Sequence, residues 1–260
     1  MVDRLELTQG RVAFRRIWPE AAAGTPIVFL HEGLGSIAQW RDFPDALCTA
    51  TKRPGFVYER FGHGASDPIA DKRRSDYLHR EARILGEVLD AAGIASADLL
   101  GHSDGGSIAL LAGAFDPTRY WRIATMAAHV FVEPVTRAGI EKAVEAWRTT
   151  DLKQRLARYH GAGTEALFFA WADIWLSAPF AFWNIEADIG PIGAPVLAVQ
   201  GADDEYGSPD QLARIARAVT GRCETRLIPD CAHQPQFQAR DAALGLLAPF
   251  FSSAPIQGDR

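Results

Sequence analysis

The chain has 260 residues, 48% of them hydrophobic and 23% charged, so it can bury a core of ordinary size and is not composed like a disordered segment. A net charge of −5 with no basic block leaves no electrostatic footprint for nucleic acid or an anionic membrane. Three cysteines (Cys48, Cys223, Cys231) without CxxC spacing argue against a disulfide framework. With no apolar stretch after MVDRLELTQG and no run near the roughly 18 residues of a membrane span, the expectation is a cytoplasmic protein.

Residues 5–7 and 12–17 read as short strands either side of a turn at Gln9-Gly10. Residues 26–30 and 55–58 are short apolar runs suited to strands buried on both faces, with a short helix over 40–50 between them. Residues 79–92 carry Ile84, Val88, Leu89 and Ala92 at helical spacing and stop at Gly93. A strand over 97–100, a Gly-rich turn over 101–106 and a helix over 107–115 follow, the helix ended by Asp116-Pro117. Later elements are strands at 123–128, 195–200 and 224–228 and helices at 209–219 and 239–251. Strands alternating with helices imply an α/β fold with a largely parallel sheet covered on both faces.

The segment 130–189 breaks this rhythm. Ile140, Val144 and Trp147 share one helical face, and Phe168, Ala172, Trp175 and Leu176 share another. Four of the seven tryptophans (Trp147, Trp171, Trp175, Trp183) lie here. We expect a helical insertion whose aromatics are mostly core, with a few facing a pocket. The domain expectation is a core of 1–129 with 190–260, and a helical cap of 130–189.

Gly101-His102-Ser103-Asp104-Gly105 fits G-x-S-x-G, for which chance gives about 0.1 matches in this length. Its setting adds weight. A buried-type strand precedes it and a helix follows, as a nucleophile elbow requires, with small neighbours where backbones crowd. The helix N-terminus places N–H groups where an oxyanion forms. A serine hydroxyl needs a general base, and the base an orienting carboxylate. Among the histidines past the elbow, His160 falls inside the helical insertion, whereas His233 stands in a loop between a strand and the last helix, where a base is expected. Asp203, Asp204 and Glu205 follow the strand ending near Gln200. Asp204 is the chosen orienter and Asp203 its rival, since a one-residue slip exchanges them. Asp104 is expected to act through its backbone N–H.

After the first buried strand comes His31-Glu32-Gly33-Leu34-Gly35-Ser36, a loop able to aim N–H groups at a carbonyl oxygen. His31 reads as a structural hydrogen-bonder. Glu32 reads as a brace or a solvent-facing carboxylate, because a charge there would oppose a developing oxyanion. Cys231, two residues before His233, reads as a buried inert thiol. Residues expected at the substrate are Glu32, His102, His129, Trp171, Trp175 and Tyr206.

Together with Phe61-Gly62-His63-Gly64-Ala65-Ser66, Gly201-Ala202-Asp203-Asp204 and Cys231-Ala232-His233-Gln234-Pro235, these motifs resemble the α/β-hydrolase family over nearly the whole chain. The resemblance implies a mostly parallel eight-stranded sheet with helices on both faces and a helical lid after the sixth strand. It implies a triad of Ser103, Asp204 and His233, and an oxyanion hole from the N–H of Asp104 and that of Gly33 or Leu34. Within the family the chain looks like small bacterial enzymes acting on esters, enol-lactones or carbon–carbon bonds of aromatic breakdown products. Glu32 departs from the His-Gly many relatives have. The expected function is hydrolysis of an ester, thioester or lactone of a small, partly hydrophobic or aromatic acyl compound. Carbon–carbon bond hydrolysis and a small-molecule receptor on the same fold are the alternatives. The partner is a small molecule; no cofactor or metal is expected, and either a monomer or a homodimer fits.

Overall fold

The computed structural model describes residues 2–69 and 71–252. In chain order the elements are β1 (Asp3–Leu7), β2 (Gly10–Ile17), β3 (Ile27–Leu30), α1 (Phe43–Thr51), β4 (Gly55–Tyr58), α2 (Tyr77–Ala91), β5 (Ala97–His102), α3 (Asp104–Phe115), β6 (Tyr120–Met126), α4 (Pro134–Thr149), α5 (Leu152–His160), α6 (Thr164–Leu176), β7 (Val196–Gly201), α7 (Asp210–Ala218), β8 (Cys223–Ile228), α8 (Pro235–Gln238) and α9 (Arg240–Ser252). One eight-stranded sheet runs β1-β2-β4-β3-β5-β6-β7-β8. β1–β2 and β2–β4 are antiparallel, and every pair from β4 to β8 is parallel. This is the α/β-hydrolase fold that the sequence motifs imply. Among the described residues no helix is long and apolar enough to cross a membrane.

The central strands β3, β4, β5 and β7 are buried on both faces, as their unbroken apolar runs predict. Period-2 alternation then sends neighbours to opposite cores. In β5, Leu99 joins the core under α2 and α3, while Leu100 joins the core under α1 and α9. Helices α4, α5 and α6 lie between β6 and β7, over the carboxyl ends of the strands. Their Ile140, Trp147, Leu156 and Phe168 belong to the same apolar cluster as Leu30 and Leu110 beneath.

Three boundaries differ from expectation for physical reasons. α3 begins at Asp104, not 107, and β5 runs to His102, so Ser103 alone connects them. Gly105 and Gly106 weaken a helix in isolation, which is why the sequence reading starts it later. In place of one helix over 40–50 there is a 3-10 turn at Ala38–Trp40, then α1 from Phe43, because Arg41 takes φ +53° between them. α8, four residues started by Pro235, was too short to carry a periodic signal.

Away from the cleft, one buried knot ties three elements together. Arg53 donates to Asp98 Oδ2 (2.9 Å), to the Thr25 carbonyl (2.6 Å) and to the Phe251 carbonyl (2.9 Å), and Arg122 reaches the same Asp98 oxygen at 3.3 Å. Asp98, at the start of β5, is wholly buried. Removing Arg53 leaves the buried Asp98 carboxylate with Arg122, at the longer 3.3 Å contact, and frees the Thr25 and Phe251 carbonyls. Arg53→Met should therefore lower unfolding free energy by about 2–3 kcal/mol in urea titration; a loss within about 0.5 kcal/mol would mean that the knot does not hold the C-terminal helix to the sheet.

Candidate active site

The turn between β5 and α3 is as tight as a chain permits. Ser103 takes φ +52° and ψ −120°, a strained conformation for a residue with a Cβ. Its N–H donates to the Met126 carbonyl (2.9 Å), and its own carbonyl receives the N–H groups of Gly106 (2.8 Å) and Ser107 (3.1 Å). Gly105 makes the crossing possible, because a Cβ there would stand 2.0 Å from the Leu30 carbonyl oxygen.

Ser103 Oγ lies 2.9 Å from His233 Nε2, and His233 Nδ1 lies 2.8 Å from Asp204 Oδ1. The Tyr206 N–H (2.9 Å) and Gln200 Nε2 (3.3 Å) also donate to the Asp204 carboxylate and fix its plane. The three consecutive acids divide their roles by position. Asp204 is buried and meets the ring, and Glu205 accepts the backbone N–H of His233 at 3.2 Å. Asp203 is exposed, its N–H spent on the Cys231 carbonyl (2.8 Å). Burial alone pulls His233 down, but the Asp204 hydrogen bond and charge, with Glu205 and Glu32, outweigh it and raise the ring above its usual value. Asp204 shows the converse: burial pushes it up, and the bonded, charged His233 brings it net below the carboxylate range.

The loop after β3 is held from behind by its carbonyls. Arg60 Nη2 donates to the Glu32 carbonyl (2.7 Å), His63 Nε2 meets that of Gly33 (3.1 Å), and His160 Nε2 meets that of Leu34 (2.9 Å). A trans peptide points its N–H opposite its C=O. Tying back the Glu32 and Gly33 carbonyls therefore turns the N–H groups of Gly33 and Leu34 the other way, and both residues line the cleft beside Ser103. Asp104 lines it too, and as the first residue of α3 its N–H has no acceptor within the helix. The Asp104 carboxylate faces inward to Tyr77 Oη (2.9 Å) and Arg60 Nη1 (3.6 Å). His31 accepts the Arg60 N–H on Nε2 (3.1 Å) and stands 2.8 Å from the Glu32 carbonyl through Nδ1; burial, then the Arg60 charge, hold it well below its usual value and so neutral.

The cleft has a volume of about 420 Å³. Glu32, His129, Trp171, Trp175 and Tyr206 line it. His129 gives Nε2 to the Tyr206 carbonyl (3.0 Å), and burial, then His233, lower its pKa. Trp175 spends its indole N–H on Tyr77 Oη (2.8 Å), and Trp171 stands against Gly33, where a Cβ would meet its Cδ1 at 2.4 Å. His102 is a correction: it does not line the cleft. It alternates with Ser103 on β5, falls on the Leu100 side of the sheet, and is wholly buried with Trp40 edge-on at 6.3 Å. His160 bonds to none of Ser103, His233 or Asp204; it accepts the Gly64 N–H (3.0 Å) and meets the Leu34 carbonyl. Cys231 is buried, and burial raises its thiol pKa. The sequence reading missed three arginines on the cleft lining, Arg41, Arg155 and Arg158, all with exposed side chains. No motif marks them; only the exposed face of α5 in the folded chain brings two of them to the mouth. Among the described residues no group of three or more His, Cys, Asp or Glu stands together as a metal site.

The chain matches the profile described as "Alpha/beta hydrolase family" over residues 27–244. It is 27% identical to a 2-hydroxy-6-oxononadienedioate/2-hydroxy-6-oxononatrienedioate hydrolase of Klebsiella pneumoniae, across 88% of this chain and 87% of that one. Its fold is similar to that of a 2-hydroxy-6-oxo-6-phenylhexa-2,4-dienoate hydrolase from Rhodococcus (TM-score 0.82, 14% identity, 97% of this chain and 99% of that one). It is also similar to that of an enol-lactonase from Burkholderia xenovorans (TM-score 0.71, 17% identity, 96% and 100%).

A hydroxyl, an imidazole and a carboxylate in this line can turn the hydroxyl into a nucleophile only while the imidazole is neutral. Because the His233 value is raised, reactivity should rise with pH through a midpoint above the usual 6.5. Asp204→Asn removes the group that raises it, so the midpoint should fall while the rate drops about 10⁴-fold. The pH dependence of Ser103 labelling by a fluorophosphonate measures both; a midpoint unmoved by Asp204→Asn would remove Asp204 from this role.

Proposed function

This chain belongs to the alpha/beta hydrolase family, and from that premise we propose that it cleaves an ester, thioester or lactone of a small, partly hydrophobic or aromatic acyl compound through an acyl-enzyme on Ser103. The observation that carries this reading is the line Asp204–His233–Ser103, with contacts of 2.8 and 2.9 Å, opening into a substrate-sized cleft. Neutral His233 takes the Ser103 proton as Oγ attacks the carbonyl carbon. Asp204 keeps the proton of Nδ1 in place and stabilises the imidazolium. The developing oxyanion is received by the Asp104 N–H and by that of Gly33 or Leu34. His233 then gives the proton to the leaving group, and water repeats the sequence on the acyl-enzyme.

The cleft wall supports the acyl preference. Ile140, Leu156, Trp171 and Trp175 form an apolar surface against Ser103, and Arg41, Arg155 and Arg158 stand on the exposed part of the lining. A substrate apolar near the scissile carbonyl and anionic at its far end suits that division. The segment 130–189 supplies most of this wall and serves as a lid over the site.

A second reading is favoured by the relative from Klebsiella pneumoniae, whose name describes a hydrolase of dienedioates and trienedioates. In it the same Ser103 apparatus cleaves a carbon–carbon bond next to a carbonyl. Fluorophosphonate labelling, p-nitrophenyl ester turnover and consumption of a ring-cleavage dienoate separate the two. Ser103→Ala should lower turnover by at least about 10³-fold with the far-UV circular dichroism spectrum unchanged; a variant that keeps most of its activity refutes both readings. Faster turnover of the dienoate than of any ester would select the second.

A further inference from the structure

His102 has more hydrogen-bond partners of one kind than an uncharged imidazole can serve. Its Nε2 stands 2.8 Å from the carbonyl oxygen of His233, and its Nδ1 stands 2.8 Å from Oε2 of Glu32. A carbonyl only accepts, so Nε2 carries a proton. The neutral ring would then present a bare lone pair to a carboxylate oxygen at contact distance, so a second proton lies between Nδ1 and Oε2. Burial alone would push the Glu32 carboxyl up, but the hydrogen bond from His102, with the charges of His102 and His233, holds it below its usual value. That proton therefore belongs to the ring. Gln236 places Nε2, a donor, 3.1 Å from Nδ1 and leaves its Oε1 without a partner; with Nδ1 protonated, the consistent amide orientation is the half-turned one, which brings Oε1 to Nδ1–H as a second acceptor.

We propose that Glu32 and His102 are a positioning pair, a carboxylate and an imidazolium that fix the backbone of His233 and cancel the charge of the carboxylate standing beside the oxyanion site. The proposal rests on the reading of Ser103, His233 and Asp204 given above. The pair explains why a glutamate is tolerated next to the Gly33 N–H. Its side chain reaches the cleft, where an uncompensated negative charge would oppose the oxyanion. It also explains a histidine wholly buried on the far side of β5 from the substrate. His233 is thereby held at three points: its carbonyl by His102, its N–H by Glu205 and its ring by Asp204.

Arg60 (2.7 Å) and His31 (2.8 Å) meet the Glu32 carbonyl, and His160 of α5 feels the Glu32 charge. Glu32 faces His102 from the loop after β3. Asp204, Glu205 and Tyr206 face His233 from the loop after β7, and His129, 6.0 Å away, faces it from the loop after β6. In the full chain, nitrogen-15 NMR of His102 should show both ring nitrogens protonated, and in Glu32→Gln under the same conditions only one. A neutral ring in the unaltered protein overturns the proposal, and this readout needs no activity. With fluorophosphonate and p-nitrophenyl acetate, His102→Asn should slow Ser103 by about 10²-fold and move the acid limb of the pH profile up by about one unit, because Glu32 is left uncompensated. Adding Glu32→Gln to that variant should recover about tenfold and return the limb. A double variant no faster than His102→Asn would reduce His102 to a structural residue. If the unaltered protein is not labelled at Ser103, the functional reading fails while the NMR result still decides the ion pair.

Discussion

The carbonyl oxygen of Leu30 and the backbone of Gly105 meet at a distance that admits no side chain, and the rest of the site is arranged around that contact. It lets the first turn of α3 lie directly against the end of β3. With the helix so close, one residue must make the whole connection from β5, and that residue is Ser103 at positive φ. The same contact places the loop after β3 within reach of Ser103, so nucleophile and N–H donors come from adjacent strand ends and need no long excursion of chain. The cost of the strained backbone is spread over the sheet core, because β5 is buried on both faces and cannot relax outward.

Around that crossing the protein uses side chains to aim backbone. Arg60, His63 and His160 have no direct part in bond cleavage, yet each takes a carbonyl of the loop 32–34 and so decides where the following N–H points. A neutral ring suits this work: His160 accepts the Gly64 N–H on one nitrogen and donates to the Leu34 carbonyl from the other, without importing charge. Burial and neighbouring cations lower His31 and His63, and burial lowers His160, whereas His233, supplied with carboxylates, is raised. These four histidines therefore divide between wedge and acid–base work by the company they keep.

Much of this was legible in the sequence. The buried strands announced themselves as short apolar runs, and the elbow, the acid loop and the histidine loop stood in the order the chemistry requires. What escaped had definite causes. The choice between Asp203 and Asp204 turns on one residue of loop geometry, which periodicity does not carry. His102 was expected at the substrate, but strand alternation sends it to the face opposite Ser103. On a strand buried on both sides no polar residue marks which face is which. The meeting of Glu32 and His102 spans 70 positions in the chain and depends on the β3–β5 register. The arginines of the cleft mouth belong to surface composition until α5 is folded over the site.

The segment between β6 and β7 touches the loop after β3 at Gly33, against which Trp171 packs, and at Leu34, to which His160 is bonded. For protein engineering this means that the segment is not an interchangeable module. A graft that imported another relative's helices to change substrate range would also remove two supports of the backbone donors. Chimeras built at the junctions near Met126 and Val196 would need both residues retained, and libraries aimed at specificity are better confined to the α4 and α5 positions that line the cleft.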